Sequence, residues 1–510
     1  MMKEWQCFEK EYAAGPRQSY LRRKKGEWSN DIFSFDIETT SLFYVDGAWH
    51  SFDYSKKPDY YSGVPKAGTC YIWMFGWNDN TYYGRDIKDF KKILEVIHRI
   101  SNIPHIIWIH NLSFEFQWLQ DVIGEYTFTE MVARSPLKPI SFKLEELNIY
   151  FRCSYMLTNL SLENAAKKYT SIRKAAGDLD YIPLRGMTTP LTGKELYYCE
   201  MDIRTVTEII RFYSDKYGGV GDIPLTSTGE VRKALNSHLD YFYHQKMWKL
   251  IPPPNMYMIL MESFAGGLTH GNILNSMTVW RVGENCQSLS HADETSAYPT
   301  MLLAYKYPSE PFWSFDPDIY DLGEFKKSHC FIFKVTFTNL KSKYYNHYIS
   351  INKMYECTGA VVKDNGRLVS CSGSVTMYLT NIDLEIIEDA YTFDEEEYNH
   401  IWASRAQYLD KRVLLFILEQ YENKTKLKGY KAEDPEEQNY YDTLYMNSKA
   451  ILNGIFGMSC TNALKSGVTY NQKGNNWEVP DITFDYIEKK IGEMEKSYSI
   501  ILFYAVGVFC

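Results

Sequence analysis

The spacing of apolar residues divides the first 215 residues into short strands and amphipathic helices. Apolar runs of the length typical of buried strands occur at 31–39, 69–77 and 105–110. Apolar residues at helical spacing predict helices over 86–100 and 193–217. Strands interspersed with helices favour a mixed sheet flanked by helices, so the pattern predicts an α/β domain.

Glycine and proline residues over 218–224 predict a boundary after this domain. Beyond the boundary, the pattern predicts a strand that leads into 291–299, a β-rich stretch from about 330 to 400 and helices around 404–422 and 440–456. We therefore expect a multidomain protein of α/β and α+β class. Its predicted parts are an N-terminal extension over 1–30, an α/β domain over 31–217 and a second domain over 218–510.

Length and composition agree with more than one domain. A chain of 510 residues with 45% apolar residues exceeds what a single core accommodates. No apolar run approaches the roughly 20 residues of a membrane span, and the first residues do not resemble a signal peptide, so we expect a soluble, cytoplasmic protein without a membrane partner. Ten cysteines without a C-x-x-C pair indicate neither a zinc ribbon nor a disulfide framework.

The net charge of −9 does not by itself indicate a nucleic-acid partner. Basic residues do cluster locally, at Arg17–Lys25 and at Lys424–Lys431. Each cluster is about as typical of a solvent-exposed surface as of a phosphate-binding one, so sequence motifs are needed to distinguish these two interpretations.

Two acids, Asp36 and Glu38, stand two residues apart in an apolar run. On a strand, both side chains leave the same face and can converge on one point. Crowded carboxylates in an apolar setting repel each other, and a divalent cation removes that cost. For a D-x-E pair alone, an edge strand facing water is an equally good interpretation.

Two further acids favour the cation-binding interpretation over an edge strand that faces water. Glu115 follows the predicted strand at 105–110 and lies near His110, Asn111 and Phe114, which suit a site that holds a single-stranded end. Asp202 lies on the predicted helix 193–217, one turn after Tyr198. Four acids and a phenol can hold two metal ions about 4 Å apart.

These three segments resemble the ExoI, ExoII and ExoIII motifs of proofreading exonucleases in family B DNA polymerases. The resemblance implies an RNase H-like 3′→5′ exonuclease domain with two Mg²⁺ or Mn²⁺ ions per active site. It makes Asp36, Glu38, Glu115 and Asp202 metal ligands, and gives Tyr198 the role of orienting the attacking water. It also implies that the primer's 3′ end is held by Thr39, His110, Asn111, Phe114 and Ser154. The family usually has aspartate where Glu115 stands.

The segment 293–302 resembles polymerase motif A, D-x-x-S-L-Y-P. The resemblance implies that Asp293 ligates the catalytic metal ions and that Ser296 approaches the triphosphate of the incoming nucleotide. It places Tyr298 under the sugar, where the ring excludes a ribose 2′-hydroxyl. As an alternative, the sequence DETS at 293–296, taken alone, is more often a strand-to-helix turn in which the aspartate caps the helix.

A second match makes a simple strand-to-helix turn a weaker interpretation of this segment. Residues 447–457 resemble polymerase motif B, K-x-x-x-N-S-x-Y-G. Lys449 and Asn453 share one helix face and are implied to contact the nucleotide. Phe456 replaces the usual tyrosine, and Gly454 the usual serine. Upstream, Lys424 is the candidate for neutralising a phosphate, while Lys426 and Lys428 stay open as alternatives.

Two further features narrow the subfamily. Phe264, Gly266 and Gly267 resemble the Y-x-G-G element that grips template DNA. Asp293 and Lys449 are about 150 residues apart. This spacing resembles the protein-primed polymerases of phages and linear plasmids, which carry an insertion there that touches the priming protein. DNA primer–template, dNTPs and a terminal (priming) protein are the implied partners.

The resemblance also implies a second palm aspartate in a Y-x-D-T-D motif C. After Asn453 the sequence has no D-x-D, and its only aspartates are Asp481 and Asp485. We therefore expect an incomplete right-hand polymerase truncated before motif C, with a palm that carries an insertion over about 310–400, fingers over about 404–458 and no thumb. A second polypeptide carrying motif C is a possible partner. The alternatives are a catalytically silent nucleic-acid-binding remnant and an exonuclease-only protein.

Overall fold

A computed structural model describes residues 2–22, 25–51, 58–172, 184–269, 271, 275, 277–294, 296–460, 467–474, 476–495 and 504–510. Contacts between residues group the chain into two compact units. The first unit comprises 1–230, 429–443 and 466–481. The second comprises 231–428, 444–465 and 482–510. Each unit therefore takes residues from distant parts of the chain.

The strands vary in length, and two of them, β4 and β21, span 13 residues each. In chain order they are β1 Lys3–Glu4, β2 Ser19–Arg22, β3 Gly26–Ser29, β4 Phe33–Val45, β5 Ala48–Ser51, β6 Lys66–Trp77, β7 Asn80–Gly84, β8 His105–Ile109, β9 Phe128–Ala133, β10 Pro139–Leu144, β11 Ile149–Cys153, β12 Tyr307–Pro308, β13 Trp313–Ser314, β14 His329–Thr338, β15 Lys341–Ser342, β16 Glu356–Cys357, β17 Val361–Asp364, β18 Arg367–Cys371, β19 Ser374–Thr380, β20 Tyr391–Thr392, β21 Glu395–Gln407, β22 Thr469–Asn471 and β23 Asn476–Glu478.

The helices include two of 25 residues, α6 and α14. In chain order they are α1 Phe8–Ala14, α2 Phe90–Ile100, α3 Leu112–Ile123, α4 Ser154–Thr158, α5 Leu162–Tyr169, α6 Gly193–Tyr217, α7 Ser227–Asn236, α8 Tyr241–Trp248, α9 Pro254–Ser263, α10 Ala297–Ala304, α11 Leu322–Phe325, α12 Asn381–Ala390, α13 Lys411–Leu427, α14 Pro435–Ser459, α15 Phe484–Glu495 and α16 Tyr504–Phe509. No helix in the described part of the chain is both long and apolar enough to cross a membrane.

The first unit is built on a nine-stranded mixed sheet of order β1-β7-β6-β4-β8-β11-β10-β9, with β5 paired to β4. Strand β4 runs antiparallel to β6 and parallel to β8. All five residues of β8 are buried. Ile107 and Ile109 enter the core under α2 and α3, whereas Ile106 and Trp108 enter the core under α6. Burial on both faces explains why β8 reads as a continuous apolar run.

Helix α6 matches its predicted bounds of 193–217 because both ends carry strong signals. The Thr192 side chain accepts from the Glu195 backbone N–H, and the Glu195 carboxylate accepts in return from Thr192. At the other end, Gly218 adopts a left-handed conformation with φ of 82° and closes the helix.

The first residues, expected to form an extension, pack into the core of the first unit. Strand β1 pairs parallel with β7. Phe8 and Tyr12 of α1 are fully buried in the same core as Phe33 and Phe75. Their segment is therefore an integral part of the unit and not a free arm. The short helix offers too few periodic positions to be recognised in the sequence.

The second unit contains a six-stranded sheet of order β12-β21-β14-β19-β16, with β13 also paired to β21. A four-stranded sheet of order β17-β18-β15-β20 accompanies it. One core lies among these strands and α12. Another gathers side chains of α7, α8, α9, α13, α14 and α16.

Two predicted elements of this unit need correction. The strand expected to lead into 291–299 is wrong, because 287–294 has no regular secondary structure and is exposed. Its polar residues give it no apolar face to bury. The helix expected from 404 begins at Lys411 instead, because β21 extends to Gln407 and the Asp410 side chain caps the helix by accepting from the Arg412 backbone N–H.

Candidate nuclease and nucleotide sites

Strand β4 carries the first two acids of the candidate nuclease site. It is antiparallel to β6, with Asp36 opposite Met74 and Glu38 opposite Ile72. The register then shifts, so that Thr39 faces Cys70 and Tyr71 is an extra residue on β6. This β-bulge lies directly beside the acids, a common place for bulges to redirect side chains.

Three carboxylates converge at this point. Asp36, Glu38 and Asp202 each offer an oxygen, and these oxygens lie within 4.8 Å of one another. Asp36 and Glu38 leave the same face of β4, as their spacing predicts. Asp202 reaches them from α6, where it is buried. Three negative groups at this separation repel strongly in a partly buried setting, and a divalent cation compensates them.

Glu115 approaches the same cluster from α3. This helix starts directly after β8, through Asn111 in a left-handed conformation with φ of 73°. Glu115 lies in the first turn and is only 3% exposed. Burial raises the pKa of the Glu115 carboxyl well above its ordinary value, and the neighbouring Asp36 raises it further. Glu115 therefore interacts electrostatically with Asp36, which belongs to the group of three converging acids.

The surroundings of the acids include Tyr198, which the motifs indicate, and two cysteines, which they do not. Tyr198 is buried with Tyr71, Met74 and Ile203. Burial raises the pKa of the Cys70 thiol to about 12, and Glu38 and Asp36 add to that rise. Burial also raises the pKa of Cys199, again with contributions from Glu38 and Asp36. Two protonated thiols therefore lie near the carboxylates. Their proximity follows from the strand register and from the helix face on which Cys199 lies, and the motifs do not indicate it.

Of the residues expected to hold a DNA 3′ end, Thr39 and Phe114 lie on elements that carry acids, and the others lie at the ends of neighbouring elements. His110 Nδ1 lies 3.0 Å from Ser154 Oγ, which joins the end of β8 to the start of α4. The Phe114 ring is 43% exposed in the first turn of α3, next to the buried Glu115. Thr39 is half-buried on β4. An exposed ring beside a buried acid is suited to stacking a base.

The residue types fit divalent metal ions. Oxygen ligands from carboxylates are those that Mg²⁺ and Mn²⁺ prefer. Asp36, Glu38 and Asp202 present carboxylate oxygens to one point, and Glu115 lies beside Asp36. Asp36, Glu38, Glu115 and Asp202 are therefore the candidate ligands.

The second unit brings motif A and motif B residues together. Lys424 Nζ donates to Ser296 Oγ at 2.6 Å. The Tyr298 and Phe456 rings stack with centroids 3.9 Å apart and planes at 9°. Burial lowers the pKa of the Lys424 ammonium, and the neighbouring Lys449 and Lys428 lower it further. Three lysines close enough to repel make a candidate site for an anion.

Other residues of this candidate site are exposed. Asp293 lies in the irregular segment before α10, and Asn453 is exposed on α14. Phe264 caps the end of α9. It is followed by Gly266 and by Gly267, whose missing Cβ would lie 3.7 Å from the Tyr298 hydroxyl. The structure thus gathers Ser296, Tyr298, Lys424 and Phe456 but gives Asp293 no buried position.

The glycine at 454, where the resembling motif has serine, has a local explanation. A Cβ at this position would lie 2.6 Å from Val231 Cγ2, closer than real side chains approach. Helix α14 can therefore pack against α7 only with glycine here.

Comparison with solved structures places this fold in a known class. It is the fold of phi29 DNA polymerase. This confirms, at the level of the fold, the resemblance expected from the motifs. No protein-family model matches the sequence, and no curated protein matches it either.

The chain is similar to phi29 DNA polymerase. An orthorhombic crystal form matches with a TM-score of 0.63 and 15% identity, over 94% of this chain and 75% of that chain. The complex with primer–template DNA, a post-translocation binary complex, gives 0.62 and 16%, over 94% and 75%. The ternary complex with primer–template DNA and incoming nucleotide substrates gives 0.58 and 14%, over 92% and 77%.

Proposed function

We propose that this chain is a DNA-directed DNA polymerase of family B, of the protein-primed type, with a 3′→5′ exonuclease in its first unit. The observation that supports the nuclease assignment is the convergence of carboxylate oxygens of Asp36, Glu38 and Asp202 within 4.8 Å, with Glu115 beside Asp36. These acids come from β4, α3 and α6, which are far apart in sequence. The likeness to phi29 DNA polymerase supports the polymerase assignment.

In this proposal, residues 31–217 form an RNase H-like exonuclease domain and residues 218–510 contain palm and fingers, with an insertion over about 310–400. The insertion is the proposed contact for a priming protein. The nuclease acts on the 3′ end of a DNA strand, and the second unit binds primer–template DNA and dNTPs.

Asp36, Glu38, Glu115 and Asp202 would hold two Mg²⁺ or Mn²⁺ ions. When bound, such ions supply Lewis-acid activation of the attacking water and stabilise the leaving oxygen. Tyr198, one turn before Asp202 on α6, orients the water through its hydroxyl. The surrounding apolar residues keep bulk water away, which strengthens the electrostatic interactions among the carboxylates and the reacting phosphate.

The other residues of the nuclease site hold the DNA strand. Phe114 stacks the terminal base with its exposed ring. The contact between His110 and Ser154 fixes the orientation of the imidazole at the edge of the site. Thr39 and Asn111 supply hydrogen-bonding groups for the sugar and phosphate.

In the second unit, Lys424 and Lys449 neutralise the triphosphate, and Ser296 contacts it through its hydroxyl and backbone. The stacked Tyr298 and Phe456 rings form a flat surface for the sugar and base of the incoming nucleotide. Asn453 lies one turn after Lys449 on the same face of α14. Phe264, Gly266 and Gly267 approach the template backbone, and Asp293 is the proposed metal ligand of this site.

The test is degradation of a 5′-labelled single-stranded DNA with Mg²⁺ or Mn²⁺. We expect stepwise shortening from the 3′ end by the unaltered chain and no shortening by Asp36→Asn/Glu38→Gln, which keeps the side-chain size. Asp215→Asn, an exposed acid on the same helix as Asp202, is the matched control and should be fully active. DNA binding without degradation by any form would favour a silent nucleic-acid-binding remnant.

A further inference from the structure

A hairpin from late in the chain belongs to the first unit. Strands β22 and β23 pair antiparallel, with Tyr470 opposite Trp477. Residues 466–481 group with the nuclease unit although more than 200 residues separate them from residue 230. We call β22, β23 and the turn residues 472–474 the distal hairpin.

The distal hairpin packs its aromatic rings on the residue next to Glu115. The centroids of Trp477 and Tyr470 lie 5.9 Å and 6.1 Å from that of Phe116, both edge-on. Tyr470 also stacks on Phe128 of β9 at 5.8 Å and 26°. Phe116 is fully buried. One side of α3, immediately after Glu115, is thus covered by the distal hairpin.

Polar contacts hold the other end of α3. Gln472 Oε1 accepts from the Phe128 backbone N–H at 3.0 Å. Its Nε2 donates to the Gly124 carbonyl at 2.7 Å and also to the Tyr126 carbonyl. Gly124 is the C-cap of α3, where carbonyl groups lack partners inside the helix. One side chain of the distal hairpin therefore ties the end of α3 to the start of β9.

We propose that the distal hairpin is a positioning element of the nuclease site, in which Trp477 and Gln472 fix helix α3 so that the Glu115 carboxylate stays beside Asp36. The inference rests on the proposed exonuclease function. Helix α3 follows β8 after two residues, His110 and Asn111, and its apolar face, including Leu119, packs in the core of the first unit. The distal hairpin adds contacts at Phe116 and at the C-terminal end of the helix. Tilting of α3 moves Glu115, and a displacement of about 1 Å in a catalytic site can cost about a hundredfold in rate.

The test compares Trp477→Ala, Trp477→Phe and Gln472→Ala with the control Trp49→Ala. Trp49 is 44% exposed on β5 of the same unit. For each variant, hydrogen exchange of the α3 amides, the kcat of single-strand degradation and the Mg²⁺ concentration for half-maximal rate are measured. Gln472→Ala leaves the aromatic contacts in place and serves if Trp477→Ala fails to fold.

We expect Trp477→Ala and Gln472→Ala to speed exchange in α3, to lower kcat by about tenfold and to raise the half-maximal Mg²⁺ concentration by about threefold or more. Trp477→Phe should restore most of the rate, and Trp49→Ala should match the unaltered chain. Unchanged exchange in α3, or faster exchange with an unchanged rate and Mg²⁺ dependence, would overturn the positioning role alone. An inactive unaltered chain would overturn the proposed function and the positioning role with it.

Discussion

The acids of the nuclease site and the motif A segment differ in how the fold holds them. Asp36, Glu38 and Asp202 lie on a long central strand and a long helix, and their oxygens converge within 4.8 Å. Asp293 lies in an exposed segment without regular structure. The first set is positioned by the packing of the sheet and its helices. Asp293 is exposed and is not positioned by such packing, so we expect the converged acids and Asp293 to respond differently to substitution and to solution conditions.

The largest expected effect separates the two sets directly. Asp202→Asn removes a charge from the converged cluster at almost constant size, and we expect single-strand degradation to fall by about 10²–10³-fold. Asp293→Asn should leave that rate unchanged. Both rates are measured on the same labelled strand in Mg²⁺. An equal loss in both variants would contradict the assignment of Asp293 to a separate site.

The core beneath the acids gives a pH-dependent prediction. Burial lowers the pKa of His105 on β8 to about 4 from the ordinary 6.5. The unfolded chain binds the proton first, so stability is complete above pH 6.5 and is lost as the pH falls towards 4. Between pH 7 and pH 5, we expect this residue to cost about 2 kcal/mol in the free energy of unfolding.

Urea unfolding, followed through hydrogen exchange of the β8 amides, measures this loss. His105→Gln should show a smaller decrease between pH 7 and pH 5 than the unaltered chain, whatever its absolute stability. An identical decrease in both proteins would place the pH-sensitive group elsewhere in the unit.

A moderate effect on nucleotide binding is expected in the second unit, where the candidate site depends on the positive charge of lysine side chains and not on a cluster of acids. Lys424→Ala removes the donor to Ser296 and a positive charge, and we expect dNTP affinity to fall by about tenfold. Fluorescence titration with dNTP and Mg²⁺ measures the affinity. Lys426→Ala is the control, since that side chain is 73% exposed. A larger loss of dNTP affinity in Lys426→Ala than in Lys424→Ala would show that Lys426 is the residue that contacts the phosphate.

The smallest expected effect concerns the ring stack. Phe456→Tyr restores the residue usual in the resembling motif and keeps the stack on Tyr298. We expect dNTP affinity to change by less than about threefold, because stacking accounts for most of the contact. A tenfold gain in the same titration would show that the absent hydroxyl limits binding.

Elements whose ends are marked by capping residues could be predicted from the sequence. Helix α6 is bracketed by Thr192 and Gly218, and its bounds follow from the sequence. The spacing of Asp36 and Glu38 predicted a shared face, and the structure brings both to Asp202. The roles of these residues, and of the other candidate site residues, stay predictions.

Long-range contacts could not be predicted in this way. Nothing in the local sequence relates Trp477 to Phe116, or Phe8 to Phe75, because such pairs are set by the tertiary fold. The strand expected before Asp293 illustrates the opposite error. The pattern predicts a strand at this place, but the polar residues of 287–294 lack a surface to pack against.

The extra residue Tyr71 on β6 also bears on how this sheet tolerates evolutionary change. Loss of one residue at the bulge would restore an uninterrupted ladder between β4 and β6. It would also remove the local twist that the bulge gives β6 beside Asp36 and Glu38, together with the Tyr71 side chain, which is 1% exposed. Single-residue deletions should therefore be disfavoured in this segment, and at position 71 only exchanges that keep a large buried side chain should be tolerated. Evolution near the acids is expected to preserve both the length of the segment and the size of the residue at the bulge.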